Sequence, residues 1–466
     1  MGQRNRVRWS ERPFGWRWSR SCRAVRPLAE ERRPVTLDEE PEEEPELVEL
    51  EDDMSAPTAL LVGYNGANNT GAEALLQADI ADLRAVLGPG ARLTVPTLNA
   101  ANLRRYLQPA PTLRIAPIPT IFFTAVRRLV REHDLVVLVE GSAYMDTWTP
   151  ALLWYFLWAT RCADEAGKPS LAYAVDAGQL SRLDRWLTRR VASRTELIVT
   201  RAEAAAKRLR SWGVSAPIIV TADNAFNFRP DPADAAWLAS CWPEGAGAVG
   251  LALVDFSRFP VVVRPWGRQQ DCYRWPYYFA HSPTRRRMSR ALVDGYAALA
   301  DGVVARHGRP VALIGMEELD EPLARAVQDR MRHGTRARVF SSREHDASRM
   351  TTLLRSLDLL VTSRYHAAVL SMAAAVPQLA VGHDLRLLSL YQELGLADEL
   401  FVKGGASPEM FAAVEERVEQ LLADPAPVQA ALRHGYQAHA TAARRNRELL
   451  RGFALRHGWG EPAWAA

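Results

Sequence analysis

The sequence predicts an α/β protein with two Rossmann-like parallel-sheet domains that face each other across a cleft. Three observations carry this prediction. From Thr58 onward short apolar runs alternate with helical patterns, the order that builds parallel sheets with helical crossovers. The alternation breaks once, at the turn-rich stretch from Arg229-Pro-Asp-Pro-Ala-Asp to Pro243-Glu-Gly-Ala-Gly247, and then restarts. The length, 466 residues, suits two or three domains.

The elements follow in order. Leu60–Gly63 reads as the first strand, and Leu76, Ile80, Leu83 and Leu87 mark one face of the helix after it. Leu93–Pro96, Leu113–Ile118, Leu135–Val139, Ser170–Val175, Leu197–Thr200 and Ile218–Thr221 are the next strands. The second half has strands at Ala248–Val254, Val311–Gly315, Ala337–Phe340, Leu357–Thr362 and Gln378–Gly382. The expected organisation is a disordered extension at 1–56, a first domain at 57–230 and a linker at 231–247. A second domain at 248–424 and a helical segment at 425–466 complete it, the latter as one or two Arg-rich helices packing back across the domains. This is the GT-B layout of glycosyltransferases.

The opening fifty residues differ from the rest. Arginine and tryptophan crowd Arg4 to Arg33, and the acidic run from Glu39 to Glu46 follows. Like charges with interposed prolines do not nucleate a core. The segment reads as an interaction arm or as an extension upstream of a start at Met54.

Composition excludes several classes. A charged fraction of 24% and a hydrophobic fraction of 48% belong to globular chains. A net charge of +4 is too mild to announce a nucleic-acid binder. Only Lys168, Lys207 and Lys403 among the 58 basic residues are lysine, a skew that fits a GC-rich genome and lowers the weight of any one arginine. The cysteines Cys22, Cys162, Cys241 and Cys272 form no metal-ligand spacing, and a reducing cytoplasm suits them. No apolar run reaches the ~20 residues that span a bilayer. There is no G-x-S-x-G elbow, no HExxH helix and no strand-end DxD.

Two strand-end loops carry candidate chemistry. The first strand leads into Gly63-Tyr-Asn-Gly-Ala-Asn-Asn-Thr-Gly71-Ala-Glu73. Its Gly66-to-Gly71 spacing imitates a P-loop, but Ala72-Glu73 replaces the Lys-Ser/Thr that a triphosphate needs. Asn68, Asn69, Thr70 and Glu73 offer groups suited to sugar hydroxyls, or a turn with an Asn/Thr cap. In the second half, Val361-Thr-Ser-Arg364-Tyr365-His366 joins an apolar strand to a helix. Such a junction attracts anions, a guanidinium grips carboxylate or phosphate, and a histidine carries a proton near neutral pH. A third stretch, Arg264-Pro265-Trp266 followed by Tyr273-Arg274-Trp275-Pro276-Tyr277-Tyr278, interleaves aromatics with arginine as sugar or single-stranded nucleic-acid sites do. Arg285-Arg286-Arg287 reads as a solvated helix start.

These residues resemble the polysaccharide pyruvyl transferase family, from about Leu60 to Val402. Gly63 through Glu73 is similar to the family's opening loop, with Ala72 in place of its Asp. Val139-Glu140-Gly141-Ser142 resembles the glycine-rich end of its middle strand. Thr200-Arg201-Ala202 resembles its Val-Arg-Asp element, and Ala222-Asp223-Asn224-Ala225-Phe226 its Ala-Asp-x-Ala-Phe stretch. Arg264-Pro265-Trp266 is similar to its Arg-Pro turn, and Ser363-Arg364-Tyr365-His366 to its Ser-Arg-Leu-His. His383-Asp384-Leu385-Arg386 is similar to its Tyr-Asp-x-Lys, with Arg386 in the Lys position.

The resemblance implies a transferase that moves a pyruvyl group from phosphoenolpyruvate to hydroxyls of a cell-surface or exopolysaccharide sugar as a ketal. Arg264, Arg364 and Arg386 are then the donor-binding residues, and His366 with Arg364 the catalytic ones, His366 as general acid. Asn68, Asn69, Thr70 and Glu73 face the acceptor, a glycan or lipid-linked oligosaccharide. The scheme calls for no metal and no cofactor, no nucleic acid and no transmembrane segment. It places the chain in the cytoplasm, with peripheral association at the inner face of the membrane left open. Two alternatives remain: a metal-independent GT-B glycosyltransferase, and a non-catalytic glycan-binding family member.

Overall fold

The computed structural model of the chain describes residues 56–147, 149–258, 261–269, 272–279 and 282–459. Apart from Ala56, the extension expected at 1–56 lies outside the described residues. The first half is a seven-stranded parallel sheet: β1 Thr58–Val62, β2 Arg92–Thr97, β3 Leu113–Pro117, β4 Leu135–Leu138, β5 Ser170–Val175, β6 Leu197–Thr200 and β7 Ile218–Val220. Its order is β3-β2-β1-β4-β5-β6-β7. The central strands read Leu-Val-Val-Leu and Ser-Leu-Ala-Tyr-Ala-Val, apolar almost throughout, because helices cover both faces of a parallel sheet.

In the second half lie β8 Val249–Ala252, a small group of β9 Val261–Val263, β10 Cys272–Arg274 and β11 Tyr277–Phe279, then β12 Val311–Gly315, β13 Ala337–Ser341, β14 Leu359–Thr362, β15 Gln378–Gly382 and β16 Phe401–Lys403. Six of them form a parallel sheet in the order β13-β12-β8-β14-β15-β16. Both predicted parallel sheets are therefore present. In each, the strand order reverses at one place, between β1 and β4 and between β8 and β14. At such a switch point the outgoing loops part and leave a crevice. The Gly63–Glu73 loop and Glu140 follow β1 and β4; Arg364 and His366 follow β14. Both crevices are thus occupied by the residues that the sequence singles out.

Three elements were not expected. The antiparallel sheet β10-β11-β9 folds out of the insertion after β8. The edge strand β16 pairs with β15. Within 231–247 the helix Asp234–Cys241 forms, and Trp237 packs on the second-half core.

Two helices tie the halves together. The opening helix Thr70–Leu87 is capped by the Asn69 side chain, which accepts from Ala72 N. Its Ala74 and Leu75 join the second-half core, whereas Leu76, Ile80 and Leu83 join a core under the first sheet. The closing helix Ala426–Arg456 runs the same way in reverse. Val428, Leu432, Ala440 and Ala443 pack in the second-half core, and Leu450, Phe453 and Ala454 end in the first. All the described residues belong to one compact unit. No helix among them is long and apolar enough to cross a membrane.

Candidate active site

A cavity of about 180 Å³ opens between the carboxyl ends of the two sheets. Gly63, Tyr64 and Asn69 of the first loop line it, with Glu140 and Ser142 after β4 and Tyr155 beside them. The second half contributes Glu317, Arg364, Tyr365, His366 and Arg386, and the small sheet adds Val261 and Tyr277.

His366 stands in the first turn of the helix Tyr365–Ser371, because β14 ends at Thr362 and Arg364 takes the extended N-cap position. Its Nε2 lies 3.5 Å from Asp223 Oδ2, a carboxylate from the other half. Asp223 is buried, and its other oxygen accepts from Ala225 N at 2.8 Å. Burial alone would raise the Asp223 carboxyl, but the Arg201 guanidinium overrides it and His366 adds to the pull, so the group is held well below the usual range. Arg201 is itself fully buried, donating Nη1 to Asp223 at 2.5 Å and Nε to Asp176 at 3.0 Å. Its guanidinium lies 4.4 Å from the centre of the Tyr365 ring. Together these residues form a Asp176–Arg201–Asp223–His366 chain running from the first sheet to the second.

Two glycines let this chain close. A Cβ on Gly71 would collide with the His366 imidazole at Nδ1, and one on Gly141 would collide with Arg201 Nη1. Both positions need the missing side chain for close approach rather than for backbone freedom.

Each cavity-lining arginine already has an acidic partner. Arg364 grips Asp320 with Nε, at 2.8 Å, and with Nη2, and reaches Glu317 through Nη1 at 2.9 Å. Tyr64 donates to the same Glu317 across the cleft at 3.2 Å. Burial, reinforced by Glu317, pushes Asp320 up to about 6 against the pull of Arg364. Arg386 is clamped by Asp384 through Nε and Nη2, which leaves Nη1 to cross the cleft to Ser142 Oγ at 2.9 Å. Glu140 accepts from Ser142 N through Oε1 at 3.0 Å, while its buried Oε2 has no hydrogen-bond partner.

The structure brings Arg364, His366, Arg386 and Asn69 to the cavity. The other expected site residues lie elsewhere. Asn68, in the left-handed region with φ +49, donates to Glu318 Oε2 at 2.8 Å, and its carbonyl oxygen accepts from Ser342 Oγ at 2.6 Å. Thr70 is fully buried, its N donating to Met316 O. Glu73 lies beneath the loop, beside Arg105 at 3.4 Å and accepting from Ala347 N at 3.0 Å. These three join the halves rather than line the cavity. Arg264 follows β9, and its guanidinium sits 4.8 Å from the Tyr278 ring centre with a buried Nε that lacks a partner. Arg286 and Arg287 are exposed at the start of the helix Pro283–His307.

Sequence reasoning gave no role to Glu140, Glu317, Asp320, Asp176 or the Arg201–Asp223 pair. For Glu140, Arg201 and Asp223 a signal existed, since all three fall in motif stretches; Glu317, Asp320 and Asp176 follow strand ends with no pattern around them.

A family model described as polysaccharide pyruvyl transferase matches residues 9–384. Among solved structures the chain is similar to the S. aureus protein MnaA in its complex with UDP, with TM-score 0.54 and 9% identity over 85% of this chain and 96% of that one. It is also similar to the UDP-GlcNAc 2-epimerase of Neisseria meningitidis bound to UDP-GlcNAc, with TM-score 0.53 and 11% identity over 84% and 99%. A glycosyltransferase from Rickettsia africae aligns with TM-score 0.50 and 11% identity over 84% and 97%. At these identities the likeness shows the fold, the GT-B layout. No curated protein matches the chain.

Proposed function

The chain belongs to the polysaccharide pyruvyl transferase family, and from that membership we propose that it moves the pyruvyl group of phosphoenolpyruvate onto two hydroxyls of a polysaccharide sugar as a cyclic ketal. The observation that carries the reading is the position of His366. It lines the cavity, is fixed against Gly71, and is backed by an Asp223 carboxylate that Arg201 keeps ionised. The carboxylate faces the imidazole Nε2 at 3.5 Å from the opposite half and orients the ring at the cavity wall, the positioning that a general acid requires.

In this reading the donor lies against the second half. Arg364 and Arg386 hold its carboxylate and phosphate; Asp320 and Asp384 orient their guanidinium planes beforehand. Arg264 supplies a third cation to an anion that reaches under the small sheet, where its Nε is unsatisfied. The acceptor lies against Asn69 and Glu140, and the joint formed by Asn68, Thr70 and Glu73 holds that loop in place.

His366 gives a proton to the methylene carbon, and C2 becomes electrophilic. The first sugar hydroxyl bonds to C2 as its proton passes to the free Glu140 Oε2. The C2–O bond to phosphate then breaks as the proton held by Glu140 passes to the departing phosphate. The second hydroxyl closes the ring, and its proton returns to His366, which restores both groups.

The deciding experiment incubates the chain with phosphoenolpyruvate and a panel of glycan acceptors. Acceptor-dependent phosphate release, together with an acid-labile pyruvate on the glycan, is the expected result. Consumption of a nucleotide-sugar in place of phosphoenolpyruvate would overturn the reading in favour of glycosyl transfer. Glycan binding without either turnover would make the chain a binding member of the family.

A further inference from the structure

The helices Phe123–Arg131, Pro150–Glu165 and Arg182–Ala192 lie side by side on one face of the first sheet, over the core that contains Val126, Leu153 and Phe156. In a parallel sheet these helices all begin at the carboxyl ends of the strands, so their first turns crowd the cleft edge. That edge exposes Ile121 at 61%, Phe123 at 42%, Trp154 at 37%, Leu183 at 61% and Trp186 at 54%. Ile121 just before the first of these helices and four side chains on the first two turns of the three make a patch, not scattered surface residues.

Arginine dominates the polar residues of the two outer helices. Phe123–Arg131 carries Arg127, Arg128 and Arg131 and no acid; Arg182–Ala192 carries Arg182, Arg185, Arg189 and Arg190. Arg127 stacks on the Trp158 ring at 5.4 Å and Arg190 on Trp186 at 5.9 Å. Asp184 is buried against Trp154 Nε1 and Ser181, Asp164 pairs with Arg194, Glu165 with Arg161 and Arg127, and Glu132 with Arg128. The charge offered outward is that of the exposed Arg131, Arg182, Arg189 and Arg190.

We infer that this rim docks the chain on an anionic lipid bilayer. Indole and aliphatic side chains fit the headgroup boundary, where amphipathic rings concentrate. Arginines between them meet lipid phosphates and the negative surface potential. The cavity opens at the same place: Phe122 lies between Ile121 and Phe123, and Leu152 and Tyr155 flank Trp154. An acceptor carried in the membrane would therefore present its glycan at the cavity mouth. That last consequence rests on the proposed reaction, whereas the docking itself does not.

Co-sedimentation with vesicles tests the docking without any turnover assay. Vesicles of phosphatidylcholine with a quarter phosphatidylglycerol are compared with phosphatidylcholine alone, at about 0.05 M and about 0.5 M NaCl. The full chain should partition onto the anionic vesicles about tenfold better than onto the neutral ones, and lose most of that at high salt. Leu183→Ser with Trp186→Ser should lower the partition by about tenfold or more at an unchanged thermal midpoint. Leu455→Ser, at an exposed leucine of the closing helix, should leave it unchanged. Should the double variant unfold, Arg131→Glu with Arg182→Glu must abolish the anionic preference instead. Equal binding by the variants, or no anionic preference in the unaltered chain, overturns the inference. Self-association lost in the double variant, without vesicle binding, would give the patch to a second copy and overturn it as well.

Discussion

At the floor of the cleft His366 and Asp223 come from opposite halves and face each other at 3.5 Å. Asp223→Asn removes the carboxylate that faces His366 Nε2 and orients the ring, so turnover should fall by roughly 10²-fold while the affinity for phosphoenolpyruvate changes little. His366→Ala should do the same in a single-turnover rate, and a normal rate in either variant would remove His366 as the acid. Arg364 supports a less intuitive expectation. Its Nη1 is held by Glu317 at 2.9 Å, so an anionic donor must compete with a fixed carboxylate. Glu317→Gln should raise donor affinity by roughly fivefold, about 1 kcal/mol, measured as a dissociation constant. Weaker donor binding in that variant would mean that Glu317 positions the guanidinium instead of opposing the ligand. Only half of this was legible in the sequence. Arg364 and His366 stand out because a strand-to-helix junction concentrates anion-binding chemistry at known positions. Asp320 lies 44 residues from its arginine, and no local pattern marks a carboxylate whose partner is brought to it by the fold.

The opening helix shows what an element adds to its residues. Its first turn carries Glu73, which is buried between the halves beside Arg105 and the Ala347 amide. Burial is the main cause that pushes this carboxyl up to about 8, against the pull of Arg105. The folded chain therefore binds a proton there that the unfolded chain releases near pH 4.5. Its contribution to stability is present in full below that pH and is lost as pH rises towards about 8. Thermal midpoints of the unaltered chain and Glu73→Gln should diverge across this window, with the glutamine form increasingly the more stable. A difference that stays flat from pH 4 to pH 9 would show that Glu73 titrates normally. Elements of this kind were largely readable: Ser170–Val175, Leu197–Thr200, Val311–Gly315 and Gln378–Gly382 appear with the bounds the apolar runs suggest. The strands β9, β10 and β11 were not, because each has three residues and their segment is rich in arginine, proline and aromatics, where no period can be recognised.

For the molecule as a whole, the closing helix is the second connection between halves that the Asp231–Gly247 stretch joins first. Phe453 is fully buried in the core under the first sheet, and Phe453→Ala should cost about 3–5 kcal/mol. Because that core is then the weaker of the two, unfolding followed by near-ultraviolet dichroism should separate into two transitions. A single transition would show that the opening helix alone couples the halves. The helix also brings Asn446 to the Ala222 carbonyl oxygen at 3.0 Å and Arg447 to Asp82 at 2.7 Å, next to the turn that carries Asp223. The first half thus borrows its last layer from the far end of the chain. Cut the chain between the half-buried Pro230 and the exposed Asp231, and the two pieces are unequal. Residues 56–230 keep β1–β7 but lack the cover over Asp82 and Ala222, whereas residues 231–459 carry that cover with them. The first piece made alone should be insoluble or molten, and co-expression should recover a soluble two-piece protein. That would make the pair a complementation reporter whose signal depends on a helix docking, readable on a sizing column without knowing any substrate.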